Sequence, residues 1–549
     1  MRPEPEVATG VRTDARAEEH LVEMRDGARL ASDLYLPPAS HLPAPTVLIR
    51  MPYDKAGRYT FLPEVGEHFA AHGFACVIQD VRGKYRSEGE RQPFVNEARD
   101  GWDTVEWIIA QEWSDGTVGT WGDSYYGFTQ WALASTHHPA HRAMVPRVTG
   151  HHFGDLRPGG GMPTRTLFDW VVDCWSVPEL IVGNGVDHRV RPALDGVHPS
   201  LIEGRTHHER FLELADQPES WMAELFPEGN PAARLRVPAL HTGGWFDNLQ
   251  FWQLEDWQSA QGSPAAAHQF LRMWSNDHED YLWREPGTDL GPDFGESDDA
   301  LRTHIPQLLA EPIAFFRHYL GTAAGGPGEL TRWHAPTVRY EHVRVGRRDA
   351  AEWPPKRASS RAFALDRGVL CAPGESRWAE SVSWVHDPED PVPYLIASEW
   401  NQNCPGLPDE QHLHERADLA VFTGPVLTDN LDLLGRVEFS ARISAPTERT
   451  HVIVRLFDVS ADGAAHMVLS NALDAVADGV TEFCLWLGDT AYRLPVGHRL
   501  RLVVSTSLHG QYPVHPGTDE DPWRAVQTAR AEQRLHLVGA ELRFAEEPQ

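Results

Sequence analysis

Strand-like and helix-like segments alternate along the first part of this chain, and that alternation restricts it to a small set of folds. Apolar runs at TVLIRMPYD and GFACVIQDVRG read as buried strands. Between them, FLPEVGEHFAAHG has helical spacing and stops at Gly73. A second helix follows in NEARDGWDTVEWIIAQ, with Trp102, Val105, Ile108 and Ile109 on one face. The turn SDG leads to the strand VGTW, after which TQWALAST resumes helical spacing. Ahead of all these, Val22 and Met24 alternate against Leu30, Ser32 and Leu34 around Asp26-Gly27, the pattern of a hairpin. Strands separated by helices join through right-handed crossovers into a mostly parallel sheet, so the expected class is α/β.

The alternation breaks between Val148 and Arg236, where helix-like pieces carry several His and Trp residues, and this stretch reads as an inserted helical cap. The sheet pattern resumes at VPALHTGGWFD and HQFLRMWSNDH, followed by the amphipathic IAFFRHYL. Beyond the Pro-rich AEWPPKR the rhythm changes to a period of two, in Val437, Phe439, Ala441 and Ile443, in HRLRLVVSTS, and in Leu535 and Leu537. Short alternating strands with turns between them predict a separate β-sandwich. A chain of 549 residues is long enough for several such units. The expected organisation is a flexible tail over 1–20, a catalytic unit over 21–147 and 237–350, the cap over 148–236, and the sandwich over 351–549.

Charge and cysteine usage narrow the partners. A net charge of −30 with no basic stripe argues against nucleic acid. The N-terminus lacks the apolar core of a signal peptide and no stretch is long enough to span a bilayer, so no membrane association is expected. The 5 cysteines are scattered without a CxxC pair, which fits neither a disulfide framework nor a zinc knuckle. The expected setting is a reducing cytoplasm; the sequence leaves the oligomeric state open, a homodimer included.

The chemistry centres on VGTWGDSYYGFTQWALAS. A serine on a sharp strand-to-helix turn needs small neighbours, and Gly122 stands two before Ser124. The second glycine, Gly127, stands three after it instead of two. Ser124 is the candidate nucleophile.

From Pro52 to Ser135 the chain resembles the cocaine-esterase and X-prolyl dipeptidyl-peptidase family of α/β-hydrolases (the CocE/NonD type). The matching segments are MPYDK, VIQDVRGKYRSEGE, TVEWIIAQEWSDGTVGTWGDSYYGFTQW and GGWFDN, with EWPP, DPEDPVP, RADLAVFTGPVLTDNLDLLGRVEFSARISAP and HRLRLVVSTS farther on. The resemblance implies an α/β-hydrolase domain, an inserted helical cap and a C-terminal jelly-roll sandwich. It implies Ser124 as nucleophile, Asp247 as triad acid, and an oxyanion hole made by the Tyr53 hydroxyl and the Tyr125 backbone N–H. Family members carry a GPWxH-like segment for the base, whereas this chain reads LRMWSNDHED, with Arg272-Met273 in place of Gly-Pro. His278, two positions later than usual, is the candidate base, since Asn276 at the aligned position cannot accept a proton. Family members also wall the acyl pocket with aromatics, which points to Trp170, Trp175 and Trp245.

The order Ser124, Asp247, His278 is the one expected of this fold. Ester cleavage through an acyl-enzyme is the leading expectation. Amide or peptide cleavage and acyl transfer are alternatives within the class, the amine-recognising members needing carboxylates such as Asp123, Asp155 and Asp169. A carbohydrate-binding protein using its jelly roll is the alternative outside it. The substrate would be a small ester or amide. Asp80 and Arg82 read as an ion pair bracing a turn. Gly159 to Gly161 match no phosphate loop. The pairs His137-His138, His151-His152 and His207-His208 have no carboxylate at ligand spacing, so neither metal nor cofactor is expected.

Overall fold

The structure, a computed structural model, describes residues 6–7, 17–57, 60–152, 157, 161–183, 185–215, 217–278, 298–321, 333, 335–356, 359–375, 380–395 and 407–546. The first part supplies β1 (Glu6–Val7), β2 (Glu18–Glu23), β3 (Arg29–Tyr35), β4 (Ala44–Met51), α1 (Leu62–Ala71), β5 (Ala75–Asp80), α2 (Glu97–Ile109), β6 (Ser114–Asp123), α3 (Ser124–Ser135) and β7 (His141–Arg147). An insertion follows with α4 (Arg165–Trp175), β8 (Ile181–Gly183), α5 (Ile202–Ala215) and α6 (Pro218–Leu225). The chain returns through β9 (Ala239–Gly244), α7 (Gln250–Ala260), β10 (Gln269–Trp274), α8 (Asp298–Tyr319), β11 (Val338–His342) and β12 (Gly346–Ala350).

Ten of these strands form one sheet in the order β12-β11-β10-β9-β7-β6-β4-β5-β3-β2. The stretch from β5 to β11 is parallel, with antiparallel β12 at one edge and the β2–β3 hairpin at the other. Central strands of such a sheet are covered on both faces, which explains why β4 and β5 read as unbroken apolar runs and are buried throughout. Val47, Ile49 and Ile78 pack with Phe69 of α1 and Phe316 of α8. Leu48 and Val77 point the other way, onto Val105 and Ile108 of α2 and Leu133 of α3.

The expected tail is shorter than the sequence suggested. Glu18 to Glu23 form β2, and Glu6–Val7 pair antiparallel with β8 of the insertion. Polar side chains hid this segment, but a strand at a sheet edge needs only its backbone to pair.

The C-terminal part contains β13 (Ser359–Asp366), β14 (Val369–Cys371), β15 (Ser381–His386), β16 (Ala420–Thr423), β17 (Leu431–Ser444), β18 (Arg449–Val459), β19 (Ala465–Val476), β20 (Thr481–Leu494), β21 (Arg499–Ser505) and β22 (Ala531–Glu546). Nine of them follow one hydrogen-bonded path, β19-β18-β21-β16-β14-β13-β22-β17-β20, and β15 pairs with β22. The path is narrowest where β14 meets β16 through Val369 and Thr423. Its two halves share a core, with Val454, Leu456 and Leu502 from one and Phe439, Leu485 and Phe544 from the other. The core of this unit continues into the first unit. Trp245, Leu254, Leu271 and Tyr340 of the first unit belong to the same continuous core.

Among the described residues, no helix is long and apolar enough to cross a membrane.

Candidate active site

Ser124 stands where β6 ends and α3 begins, with φ of 50°, a left-handed conformation that a non-glycine residue rarely adopts. Its surroundings explain how the turn is held. A side chain at Gly122 would put its Cβ 2.4 Å from the Tyr126 ring and 2.6 Å from the Tyr126 carbonyl oxygen. At Gly127 the Cβ would lie 2.4 Å from Thr149 Cγ2. The displaced second glycine therefore has a physical cause: α3 crosses the segment after β7 at Gly127, and Thr149 Oγ1 there donates to the Ser124 carbonyl at 2.6 Å. The Ser124 N–H in turn donates to the Val148 carbonyl at 3.2 Å.

Tyr125 follows in the first turn of α3, where a helix leaves its N–H groups without intrahelical acceptors. Its side chain points inward. The hydroxyl donates to Glu97 Oε1 at 2.8 Å and accepts from the Phe94 N–H at 2.8 Å. Arg50 Nη1 lies 3.0 Å from Glu97 Oε2. Burial raises the Glu97 carboxyl against the pull of Arg50, and burial beside Glu97 holds the Tyr125 phenol well above its ordinary value. Glu97 was missed in the sequence. Its signal was a carboxylate on the apolar face of α2, level with Val105 and Ile108.

Asp247 and His278 lie past the ends of β9 and β10, the neighbouring parallel strands. His278 Nδ1 is 2.9 Å from Asp247 Oδ1, and both side chains are largely buried. The same Oδ1 accepts the Leu249 N–H at 3.1 Å. The longer histidine loop reaches because the strand pairing continues beyond the strands. Trp245 N–H donates to the Trp274 carbonyl at 2.9 Å and Phe246 N–H to the Asn276 carbonyl at 3.1 Å. A Cβ at Gly244 would meet that Asn276 oxygen at 2.2 Å, so only glycine allows the approach. Arg272, in place of the usual glycine, is buried and bonds Glu311 of α8 at 2.7 Å and the Pro336 carbonyl at 3.1 Å. It fastens the strand below the loop without entering the site.

Tyr53 lies past the end of β4, and its hydroxyl accepts from Trp170 Nε1 of the insertion at 2.8 Å. Trp170 packs beside Phe94 and Tyr125, with ring centroids 5.8 Å and 5.7 Å away. Trp175 stands behind, 5.3 Å from Tyr125. Tyr53, Trp170 and Trp175 are thus gathered around the start of α3. Trp245 is not. Its ring is fully buried, lies tilted against Trp353 with centroids 4.8 Å apart, and donates to the Glu341 carbonyl at 2.7 Å, so it packs the junction between the units.

Other expectations change. Asp80 and Arg82 do not pair. Arg82 Nη2 bonds Asp100 at 2.7 Å, whereas Asp80 accepts the Lys55 N–H at 2.7 Å and is pushed by burial up to about 7. No carboxylate was expected near the histidine pairs, yet the His151 and His152 rings lie 3.7 Å apart with one beside them. Asp256 of α7 approaches both, and these three are a group that could hold a metal ion. The Asp256 carboxylate is already engaged, taking the His151 N–H at 2.8 Å and bonding Nδ1 of the same residue. Burial lowers His151 to about 3 and raises Asp256 to about 7. Asp155, Gly159, Gly160 and Cys404 lie outside the described residues.

A parallel sheet with a strained serine at one strand end and an Asp–His pair at two others defines the α/β-hydrolase class. A family model described as "X-Pro dipeptidyl-peptidase (S15 family)" matches residues 26–278, and one described as "X-Pro dipeptidyl-peptidase C-terminal non-catalytic domain" matches residues 331–541. Cocaine esterase of Rhodococcus sp. (strain MB1 Bresler) is 28% identical, covering 91% of this chain and 92% of that protein. A relative from Mycobacterium bovis is 34% identical, covering 90% of this chain and 91% of that protein. Among solved structures, an α-amino acid ester hydrolase aligns with a TM-score of 0.77 at 22% identity, over 99% of this chain and 98% of that one. The chain belongs to the cocaine-esterase and X-prolyl dipeptidyl-peptidase family, and it is a serine hydrolase.

Proposed function

We propose that this protein cleaves a carboxylic ester through Ser124, His278 and Asp247. The observation that carries the reading is His278 Nδ1 at 2.9 Å from Asp247 Oδ1, past the ends of β10 and β9, which β7 separates from the β6 strand that feeds the Ser124 turn. With Nδ1 toward the acid, Nε2 is the nitrogen assigned to accept the Ser124 proton as Oγ attacks the ester carbonyl. The negative charge on the former carbonyl oxygen is met by the Tyr53 hydroxyl and the Tyr125 N–H. Such donors each contribute on the order of 3 kcal/mol. A hydroxyl can accept and donate at once, so the bond from Trp170 orients Tyr53 without using its proton. Collapse expels the alcohol, which takes the proton from His278, and leaves an acyl-Ser124 ester. Water, deprotonated by His278, then releases the acid.

Two features favour an ester over a substrate with a free amine. Asp123 lies 3.4 Å from Arg147, and Asp169 lies 3.0 Å from His188 Nε2, so both carboxylates already face a basic group. The side chains around Tyr53 are aromatic, which suits an apolar acyl group. In this reading the helical insertion acts as the cap of the site and the C-terminal unit is a jelly roll.

Treatment with a fluorophosphonate probe tests the nucleophile. Mass spectrometry should find the adduct on Ser124 in the wild type and none in Ser124→Ala. An unlabelled Ser124 in folded protein would sink the reading. A parallel comparison of nitrophenyl ester and nitroanilide substrates tests the ester preference.

A further inference from the structure

The C-terminal unit matches a domain described as non-catalytic, yet its edge strand lies against the loop that carries the triad acid. β20 is the last strand of its path, so one side of its backbone faces away from the sheet. Unpaired edges need a cover. Here the catalytic unit provides it. The Val343 N–H donates to the Ala491 carbonyl at 2.8 Å, and Gln250 Oε1 accepts the Asp489 N–H at 2.8 Å.

Gln250 opens α7, three residues after Asp247, and its N–H donates to the Asp247 carbonyl at 3.1 Å. Its side-chain amide also donates to the Trp245 carbonyl, two residues before the acid. One side chain therefore ties both shoulders of the acid turn to β20. The strand is shaped for this. Leu487 is a bulge residue, since Val437 pairs with Gly488 and Glu438 with Trp486. Gly488 has φ of 128°, and a Cβ there would come within 3.3 Å of Gln250 Oε1. The Asp489 carboxylate is buried and accepts from Trp353 Nε1 at 2.7 Å and Trp486 Nε1 at 3.1 Å. These indoles pack on the same loop and helix, Trp353 against Trp245 and Trp486 against Phe251, each at 4.8 Å. Asp247, Gln250, Ser470 and Asn471 bound a cavity of about 30 Å³ at this junction.

We propose that Gln250, braced by the bulged edge strand of the C-terminal unit at Asp489, is the positioning residue for Asp247. The C-terminal unit then sets how well the acid supports His278. The proposal rests on the triad reading above. Displacement of a catalytic group by about 1 Å costs on the order of 100-fold. A carboxylate near an imidazole raises its pKa, so a displaced Asp247 lets that of His278 fall.

The test uses the full chain with Gln250→Met, which keeps the volume and loses both bonds, and every rate is divided by fluorophosphonate-titrated serine. The expected result is kcat reduced about 10- to 100-fold with KM within about twofold, and the acid limb of the pH profile moved to lower pH. Gly488→Ala, which alters no residue of the catalytic unit, should give the same changes at smaller size and decides the matter if Gln250→Met fails to fold. Unchanged kcat per titrated site and an unchanged pH profile in the folded variant would overturn the proposal. Asp247→Asn separates the two ideas. If that variant keeps wild-type activity, the triad reading fails; if it is inactive while Gln250→Met is normal, only the positioning role fails.

Discussion

The two halves of the site are held in different ways. The serine side is built from a short span of chain: Gly122, Ser124, Tyr125 and Gly127 lie within six residues, and Thr149 after β7 and Glu97 of α2 brace them. The acid and base side depends on distant chain. Asp247 and His278 are 31 residues apart, and the support beneath Asp247 comes from Asp489, 239 residues from Gln250. Local geometry fixes a nucleophile cheaply because strain in a turn needs only its neighbours. A carboxylate that must stay buried and aimed needs walls, and here a second unit supplies one.

Perturbations should separate these halves. The largest effect is expected from Ser124→Ala, which should lower kcat for a nitrophenyl ester by at least about 10⁴-fold while urea unfolding stays unchanged. A variant within tenfold of wild type would break the assignment of the serine side altogether. Next is Tyr53→Phe, which keeps the ring and loses one oxyanion donor. Its kcat should fall about 100- to 1,000-fold with little change in KM. A loss in KM alone would recast Tyr53 as a wall of the pocket. Gly127→Ala should cost about 1–3 kcal/mol in urea unfolding by overpacking against Thr149. No loss there would show that the serine turn is less constrained than its contacts imply.

The smallest effect concerns pH. Burial pushes His414 of the C-terminal unit down to about 3 and His509 and His515 to about 4. Unfolding restores their ordinary value near 6.5, so the unfolded chain binds more protons between pH 6.5 and about 4 and stability falls as pH drops through that window. In the first unit His141, His151, His152 and His241 pull the same way, but Asp80, Glu255 and Asp256, raised to about 7, offset most of that. Hydrogen exchange at pH 7 and pH 5 should show the C-terminal strands losing protection first. Equal loss in both units would remove this distinction.

The same contrast decides what could be read from residue order. The α/β class, the β2–β3 hairpin and the strand–serine–helix unit were legible because each is written in consecutive residues with its own period. Asp247 and His278 were legible as candidates through motif and order. Whether the longer loop could reach was not, because it depends on the Asn276 carbonyl packing against Gly244. Trp245 was misplaced because sequence adjacency to Asp247 does not say on which side of a turn a ring falls. The Asp80–Arg82 pairing failed for a similar reason, Arg82 being drawn to Asp100 of α2. The closeness of His151, His152 and Asp256 required α7 to pack against the segment that follows β7, which no local pattern announces.

The bulge at Leu487 has a bearing on how relatives should be aligned. One added residue shifts the phase of everything after it, so a homologue lacking the bulge would show a single-residue gap before the counterpart of Asp489. Excising Leu487 from this chain should restore a regular ladder and remove the local bend and added twist that bring β20 to Gln250. A gap of one, easily dismissed as noise in a variable β region, would then mark which members brace their catalytic acid from the second domain.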